Sequence, residues 1–144
     1  MGKRRVINKG GRGVDQGLKN RALAKAVKKR IERGIFSVEA TFNNTKAVLT
    51  DAEGNTIMWS SAGALGFAGT RKSTPYAAAK VGELLGEKAN IIGLKEADVV
   101  IRGVGAGRES ALRAFAGKGI HIRSIKDRTP VPHNGPRPPK PRRV

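Results

Sequence analysis

Apolar and polar residues change period several times along the chain, and each change marks an element. Phe36, Val38, Ala40 and Phe42 alternate with Ser37, Glu39 and Thr41, which places one apolar face on a half-buried strand. Asn43-Asn44 supplies a turn, Lys46 to Thr50 a return strand, Asp51-Ala52-Glu53-Gly54-Asn55 a second turn, and Thr56 to Ser61 a third strand. The period then becomes helical. Thr74 to Lys88 carries Ala77, Val81, Leu84 or Leu85, and Ala89 along one side, with Ser73 and Thr74 as caps and Pro75 preorganised for the first helical position. Ala97 to Arg102 reads as a fourth strand, Arg108 to Ala116 as a short helix ended near Gly117 and Gly119, and Ile120 to Ile125 as a fifth strand. The order βββαβαβ predicts an α/β fold: a single domain with a mixed five-stranded sheet, the late strands being reached through helices. The six aromatic residues, Phe36, Phe42, Trp59, Phe67, Tyr76 and Phe115, are expected mostly in the core.

Ahead of the sheet, Leu23, Val27 and Ile31 fall four apart among Lys25, Lys28, Lys29 and Arg30, predicting a basic amphipathic helix from Leu18 to Arg33 with Gly34 as its stop. Such a helix packs on the body or docks on nucleic acid, and its few bulky apolar positions argue against a membrane surface. Residues 1–17 are Gly-rich, basic and aperiodic, and are expected to be disordered in isolation.

Charge changes the picture more than composition does. The chain has 29 Lys plus Arg against 11 Asp plus Glu, a net charge of +18, which argues for a polyanionic partner. Residues 1–34 hold 12 basic and 2 acidic side chains, residues 35–127 hold 12 and 9, and residues 128–144 hold 5 and 0. A nearly balanced body, 35–127, is therefore expected between a basic N-terminal extension, 1–34, and a basic tail, 128–144. The tail also holds six of the seven prolines, so it forms neither helix nor central strand, and it loses less entropy on ordering than a Gly/Ser tail. With no cysteine there is no disulfide framework, thiolate metal site or Cys nucleophile. No apolar run approaches the ~18 residues of a membrane span, and no hydrophobic secretory segment follows the first basic residues. The first 36 residues are read as part of the working protein, and no membrane partner is expected.

The richest stretch is Trp59 to Ala79. Gly63, Gly66 and Gly69 allow sharp turning and close approach to another molecule, Arg71 and Lys72 follow, and the loop discharges into the capped helix start at Ser73-Thr74-Pro75. That is an anion site in outline, with Gly66, Gly69, Arg71, Lys72, Ser73 and Thr74 as candidate RNA contacts. Gly103-Val104-Gly105-Ala106-Gly107-Arg108 is the competing motif. After a strand and before a helix it invites a dinucleotide reading, with Asp127 as the ribose acid, but Arg108 stands where the third glycine belongs and no further strands follow. A plain turn, or a backbone nest for an RNA phosphate with Arg108 and Arg113, fits better. Gly66-Phe67-Ala68 lacks the flanking residues of an RNA-stacking strand. Glu39, Asp51, Glu53, Asp98 and Asp127 supply no carboxylate pair that spacing forces together, so nuclease chemistry, any other enzymatic activity, a metal or a cofactor, and a small-molecule substrate are not expected. His121 reads as a strand surface residue. In the tail, His133, Asn134, Arg137, Lys140, Arg142 and Arg143 are candidate phosphate contacts, and Asn134-Gly135 is a turn dipeptide prone to isoaspartate formation.

The run WSSAGALGFAGTRKSTPYAAA closely resembles a signature of the small-subunit ribosomal protein S11 family of bacteria and organelles, and DRTPVPHNGPRPPKPRRV resembles that family's C-terminus. The resemblance covers roughly Gly34 to Val144. It implies a ribonuclease-H-like sheet topology, a non-enzymatic structural role, and a first hairpin, FNNT, whose tip lies near RNA, which adds Asn43 and Asn44 to the candidates. GRES-x-x-RA also matches and favours an RNA role for Arg108 and Arg113. This chain departs from the family in Ala68 and Ala79, where a cation and a Gln are usual, in Val104 for proline, and in Pro136 for Cys. The resemblance further implies a place on the platform of the cytoplasmic small subunit (or its organellar counterpart), bridging of several small-subunit rRNA helices, a part in the cleft that holds mRNA in its Shine-Dalgarno duplex, and S7 and S18 proteins as neighbours. A nonspecific nucleic-acid-compacting protein is the alternative reading, with a dinucleotide-binding enzyme a remote third.

Overall fold

The computed structural model describes residues 16–24 and 30–141. Five strands, β1 (Arg33–Ala40), β2 (Thr45–Thr50), β3 (Thr56–Ser61), β4 (Glu96–Arg102) and β5 (His121–Asp127), form one sheet in the order β3-β2-β1-β4-β5. The first three make an antiparallel meander, while β1 pairs β4 and β4 pairs β5 in parallel. Helices α2 (Pro75–Ile91) and α3 (Gly107–Ala116) supply the crossovers, as the order βββαβαβ requires. A further helix, α1 (Gln16–Ala24), precedes the sheet.

Both crossover helices lie on one face. The register aligns Phe36 with Leu49 and Val99, Val38 with Ala47 and Ile101, and Leu49 with Met58, and all of these are buried. Against them α2 sets Ala77, Ala78, Val81, Leu84, Leu85 and Ala89, the predicted stripe, and α3 sets Ala111 and Phe115. Phe36 and Phe115 stack with ring centroids 3.9 Å apart and planes 4° from parallel, tying the central strand to α3. The helices approach closely because Gly82 and Gly86 of α2 face α3 and its end. A Cβ on Gly82 would stand 2.3 Å from the Ala111 carbonyl oxygen.

Four expectations are corrected. Gly34 does not stop a helix but lies buried within β1, where a Cβ would meet the Thr50 carbonyl oxygen at 2.7 Å, beside the irregularity in β2 at Leu49/Thr50. Phe42 lies beyond the end of β1 and is exposed, because the turn takes four residues, Thr41 to Asn44, and Thr41 closes it on itself. Trp59 and Tyr76 are also exposed, so only half of the aromatic residues, Phe36, Phe67 and Phe115, form core. The helix expected from Leu18 to Arg33 is helical over Gln16–Ala24, whereas residues 30–32, with the stripe position Ile31, are not helical and Arg33 opens β1; Val27, Lys25, Lys28 and Lys29 lie outside the described residues. What is described docks on the body: Glu87 of α2 accepts from Lys19 of α1 at 3.3 Å and from Lys118 after α3 at 3.2 Å. Burial alone would raise the Glu87 pKa, but the two lysines hold it below the ordinary value.

Candidate nucleic-acid interface

Strand direction gathers the predicted site. β1, β4 and β5 run parallel, and β3 is antiparallel to β2, which is antiparallel to β1, so β3 also points their way. The C-terminal ends of four strands therefore lie at one pole of the sheet. The hairpin tip follows β1, the glycine loop follows β3, the Gly103–Gly107 turn follows β4 and the tail follows β5. The N-termini of α2 and α3 open at the same pole. This is where open α/β sheets place their ligands.

The hairpin tip is braced by Thr41, whose hydroxyl accepts from the amides of Asn43 and Asn44 at 3.3 and 3.1 Å. Asn44 is itself used, its Oδ1 accepting from the Thr45 amide at 2.9 Å, while Asn43 is exposed at the tip. In the glycine loop, buried Leu65 and Phe67 anchor two tight turns, Gly63–Leu65 and Gly69–Ser73, and Phe67 meets Tyr76 edge-on at 6.0 Å. Gly66 and Gly69 have φ of +93° and +59°, a left-handed backbone that favours glycine at both. The loop is tied to the hairpin by the Ala62 amide, which donates to the Thr45 carbonyl at 3.0 Å.

Arg71 is exposed and Lys72 half-buried, with the Lys72 stem near Gly63, and neither forms an ion pair among the described residues. The two hydroxyls expected to help are committed internally. Ser73 donates to the Thr70 carbonyl at 3.1 Å; Thr74 donates to the Arg71 carbonyl at 2.7 Å and accepts from the Ala77 amide at 3.3 Å. With Pro75 lacking an N–H and Ala77 capped, Tyr76 keeps the free amide of the first turn of α2. The loop's electrostatics therefore rest on the two cations more than on the helix end.

At the second turn the glycines answer to packing. A Cβ on Gly103 would stand 2.2 Å from the Ala40 carbonyl oxygen, one on Gly105 2.3 Å from the Thr41 carbonyl oxygen, and one on Gly107 2.4 Å from Thr45 Oγ1. Gly105 also donates its amide to the Ala40 carbonyl at 2.9 Å. This turn is the seat of the hairpin, which accounts for its glycines without a ligand. Arg108 is likewise spoken for. Its Nη1 donates to the Gly103 carbonyl at 2.9 Å and its Nη2 meets Asp127 Oδ2 at 2.5 Å. Asp127 also accepts from Thr129, through the hydroxyl at 2.6 Å and the amide at 2.9 Å, and the Thr129 hydroxyl accepts from the Gly103 amide at 3.2 Å. These bonds, Thr129 first and Arg108 after it, lower the Asp127 pKa to about 2. The cluster fixes the direction in which the tail leaves the body. Arg113 stands further along α3 in an exposed pair with Glu109 at 3.1 Å, a contact that solvent weakens.

The tail is exposed from Pro130 to Pro141, with Asn134 in the left-handed region at φ +59°. His133, Arg137 and Lys140 are exposed and form no ion pair among the described residues, whereas Arg142 and Arg143 lie outside them. The imagined nuclease acids are dispersed: Glu39 pairs with Lys46, Asp98 is held by Ser124 and Arg123, and Asp51 and Glu53 belong to the β2–β3 turn at the opposite pole. Among the described residues no group of three or more His, Asp or Glu is placed to hold a metal. Sequence reasoning missed Thr129, whose signal is the Asp-x-Thr spacing, and missed Arg102 and Arg128. These two arginines stand at the same pole with no ion pair among the described residues, and outward alternation along β4 points to the first of them.

A two-layer α/β body that gathers unpaired cations and a stiff basic tail at one pole defines a polyanion-binding scaffold. The family model for ribosomal protein S11 matches residues 34–143, from β1 into the tail. The chain belongs to the ribosomal protein S11 family and is a structural protein of the small ribosomal subunit. That family is generally non-enzymatic, its place is in the ribosome, and no helix among the described residues is long and apolar enough to cross a membrane.

Proposed function

We propose that the protein bridges small-subunit rRNA helices on the platform through this one pole, and that the same pole helps shape the cleft holding mRNA in its Shine-Dalgarno duplex, beside S7 and S18 proteins. The observation that carries the reading is the convergence of Arg71 and Lys72 on the glycine loop with the exposed cations of the tail at the C-terminal ends of the strands. Each is unpaired among the described residues, so each retains its full charge for phosphate. Contacts of this kind position RNA without reading sequence, and selectivity then comes from the shape of folded rRNA. Asn43 at the hairpin tip adds a neutral donor and acceptor to the same surface, while Arg108 acts on RNA indirectly, by aiming the tail.

Binding of the full chain to folded small-subunit rRNA, measured from 50 to 200 mM salt, tests this. Replacing Arg71 and Lys72 by Ala should weaken binding and flatten the slope of log K against log salt by about 1.4 to 1.8, the share of two phosphate contacts. An unchanged slope would move the site to the tails. Equal affinity of the unsubstituted chain for duplex DNA of the same length would favour nonspecific compaction.

A further inference from the structure

With α2 and α3 both on one side, the other face of the sheet has no cover among the described residues. Parallel strands such as β1, β4 and β5 ordinarily have both faces packed. Register shows what the bare face displays. Its central row runs Trp59–Val48–Ser37–Val100–Lys126, and the next row towards the functional pole runs Ser61–Lys46–Glu39–Arg102. A dent of about 360 Å³ opens over Val48 and Val100, with Arg102 and Arg128 on its rim. Trp59, which is 62% exposed, stands beside it. Large apolar side chains in a bare central row, next to unpaired arginines, mark an interaction surface.

We propose that this face docks a segment of a neighbouring small-subunit protein, with an apolar side chain in the dent and carboxylates on Arg102 and Arg128. Charge excludes the nearer occupants. The N-terminal extension and the tail of this chain carry net charges of +10 and +5, and a second copy would set arginine against arginine. RNA fits the face poorly. Trp59 offers a single stacking plane at one side, but the two valines of the dent offer bases neither a plane nor a hydrogen bond, and Glu39, paired with Lys46, takes up a cation in the row a phosphate backbone would follow. A polypeptide matches each feature: the valines take an aliphatic or aromatic anchor, the planar guanidinium groups take carboxylates in paired hydrogen bonds, and Trp59 closes the apolar side. The proposal rests on the protein's place in the small subunit and not on the rRNA contacts of the pole.

Trp59 is the chain's one tryptophan and reports on this face directly. Hydroxyl-radical oxidation of Trp59 is to be compared in the free chain, in its complex with small-subunit rRNA alone, and in complete small subunits. Carbodiimide coupling of carboxylates to lysines, read by mass spectrometry, is then applied to the complete subunits. The expected result is oxidation retained in the rRNA complex and lost in the subunit, with Lys126 coupled to an Asp or Glu of another protein. Protection by rRNA alone would assign the face to RNA, and persistent oxidation in the subunit would show it bare; either overturns the proposal. A Val100→Lys chain, its fold checked by circular dichroism, should still enter subunits, since an added cation does not oppose rRNA, yet lose both Trp59 protection and the Lys126 coupling. Unchanged protection and coupling in that variant would also refute the anchor. Failure of the pole reading would instead appear as unaltered rRNA affinity in the Arg71 and Lys72 variant, which leaves this comparison untouched.

Discussion

Replacing Gly82 by Ala pits two effects of known sign against each other. Alanine is the better helix former by about 0.8–1.0 kcal/mol, so on an exposed helix the change would stabilise. In α2 the new Cβ would stand 2.3 Å from the Ala111 carbonyl oxygen and 3.1 Å from both the Ala111 carbonyl carbon and the Ala114 Cβ. The nearest obstacle is the backbone of α3, which cannot rotate aside, so the helices must separate by roughly 1 Å to restore van der Waals distance, at an overpacking cost of about 1–3 kcal/mol. Because α3 carries Phe115 against Phe36, that separation also loosens the stacked pair, which favours the upper part of the range. The net expectation is a loss of about 1–2 kcal/mol, or roughly 5–15 °C in Tm for a body of this size. Gly86 is the control. Its Cβ would meet Lys118 Cγ at 2.6 Å and Lys118 Cβ at 2.9 Å, side-chain atoms of a residue just beyond the end of α3 and not helix backbone, so Gly86→Ala should also destabilise, but by less than Gly82→Ala. Thermal and urea unfolding of the full chain, followed by far-UV circular dichroism, measures both. A Gly82→Ala chain as stable as the parent would refute the close helix contact.

Thr45 is fully buried and its hydroxyl has no hydrogen-bond partner among the described residues, so the isosteric Thr45→Val should be neutral or stabilise by up to about 1 kcal/mol in urea unfolding, and a clear loss would reveal a partner. Asp127 titrates at about 2 when folded against about 3.9 when unfolded, so its ionised form favours the fold. That contribution is complete above about pH 5, falls as pH drops through about 4 towards 2, and should vanish in Asp127→Asn; a carboxyl titration by NMR with its midpoint near 4 would contradict the Arg108 and Thr129 contacts.

The architecture was legible because the alternation of β1 and the alanine-rich stripe of α2 are long enough to fix both period and face. Periodicity does not reveal where a strand ends or which of two mixed faces turns inward. Alternation carried Phe42 into the predicted strand, although Thr41 closes the turn before it. In β3, Thr-Ile-Met-Trp-Ser-Ser, apolar residues fall on both faces, and the structure buries Met58 and Ser60 where α2 covers the sheet, leaving Trp59 outside. The glycine loop and its cations were readable because conformation, capping and charge coincide within a dozen residues. Arg108 was not, since its partner Asp127 lies 19 residues away and meets it only after β5 is laid beside β4.

That pairing explains how a body of nearly balanced charge directs its field to one end. The acids of the body are spent on particular cations: Glu39 on Lys46, Glu83 on Lys80, Glu87 on Lys19 and Lys118, Asp98 on Arg123, Asp127 on Arg108 and Glu109 on Arg113. Most of these pairs are exposed or half-exposed and contribute little to stability singly. Their larger effect is subtraction, since a paired cation adds little to the field beyond about a Debye length. Among the described residues, those left without an ion pair include Arg71 and Lys72 on the loop, Arg102 and Arg128 at the sheet's end, and the cations of the tail, all at the C-terminal ends of the strands, besides Lys126 within β5 and Arg21 and Arg30 ahead of the sheet. The sites thus follow from topology, which brings these segments together, and from placement of acids, which silences many of the described cations elsewhere on the body.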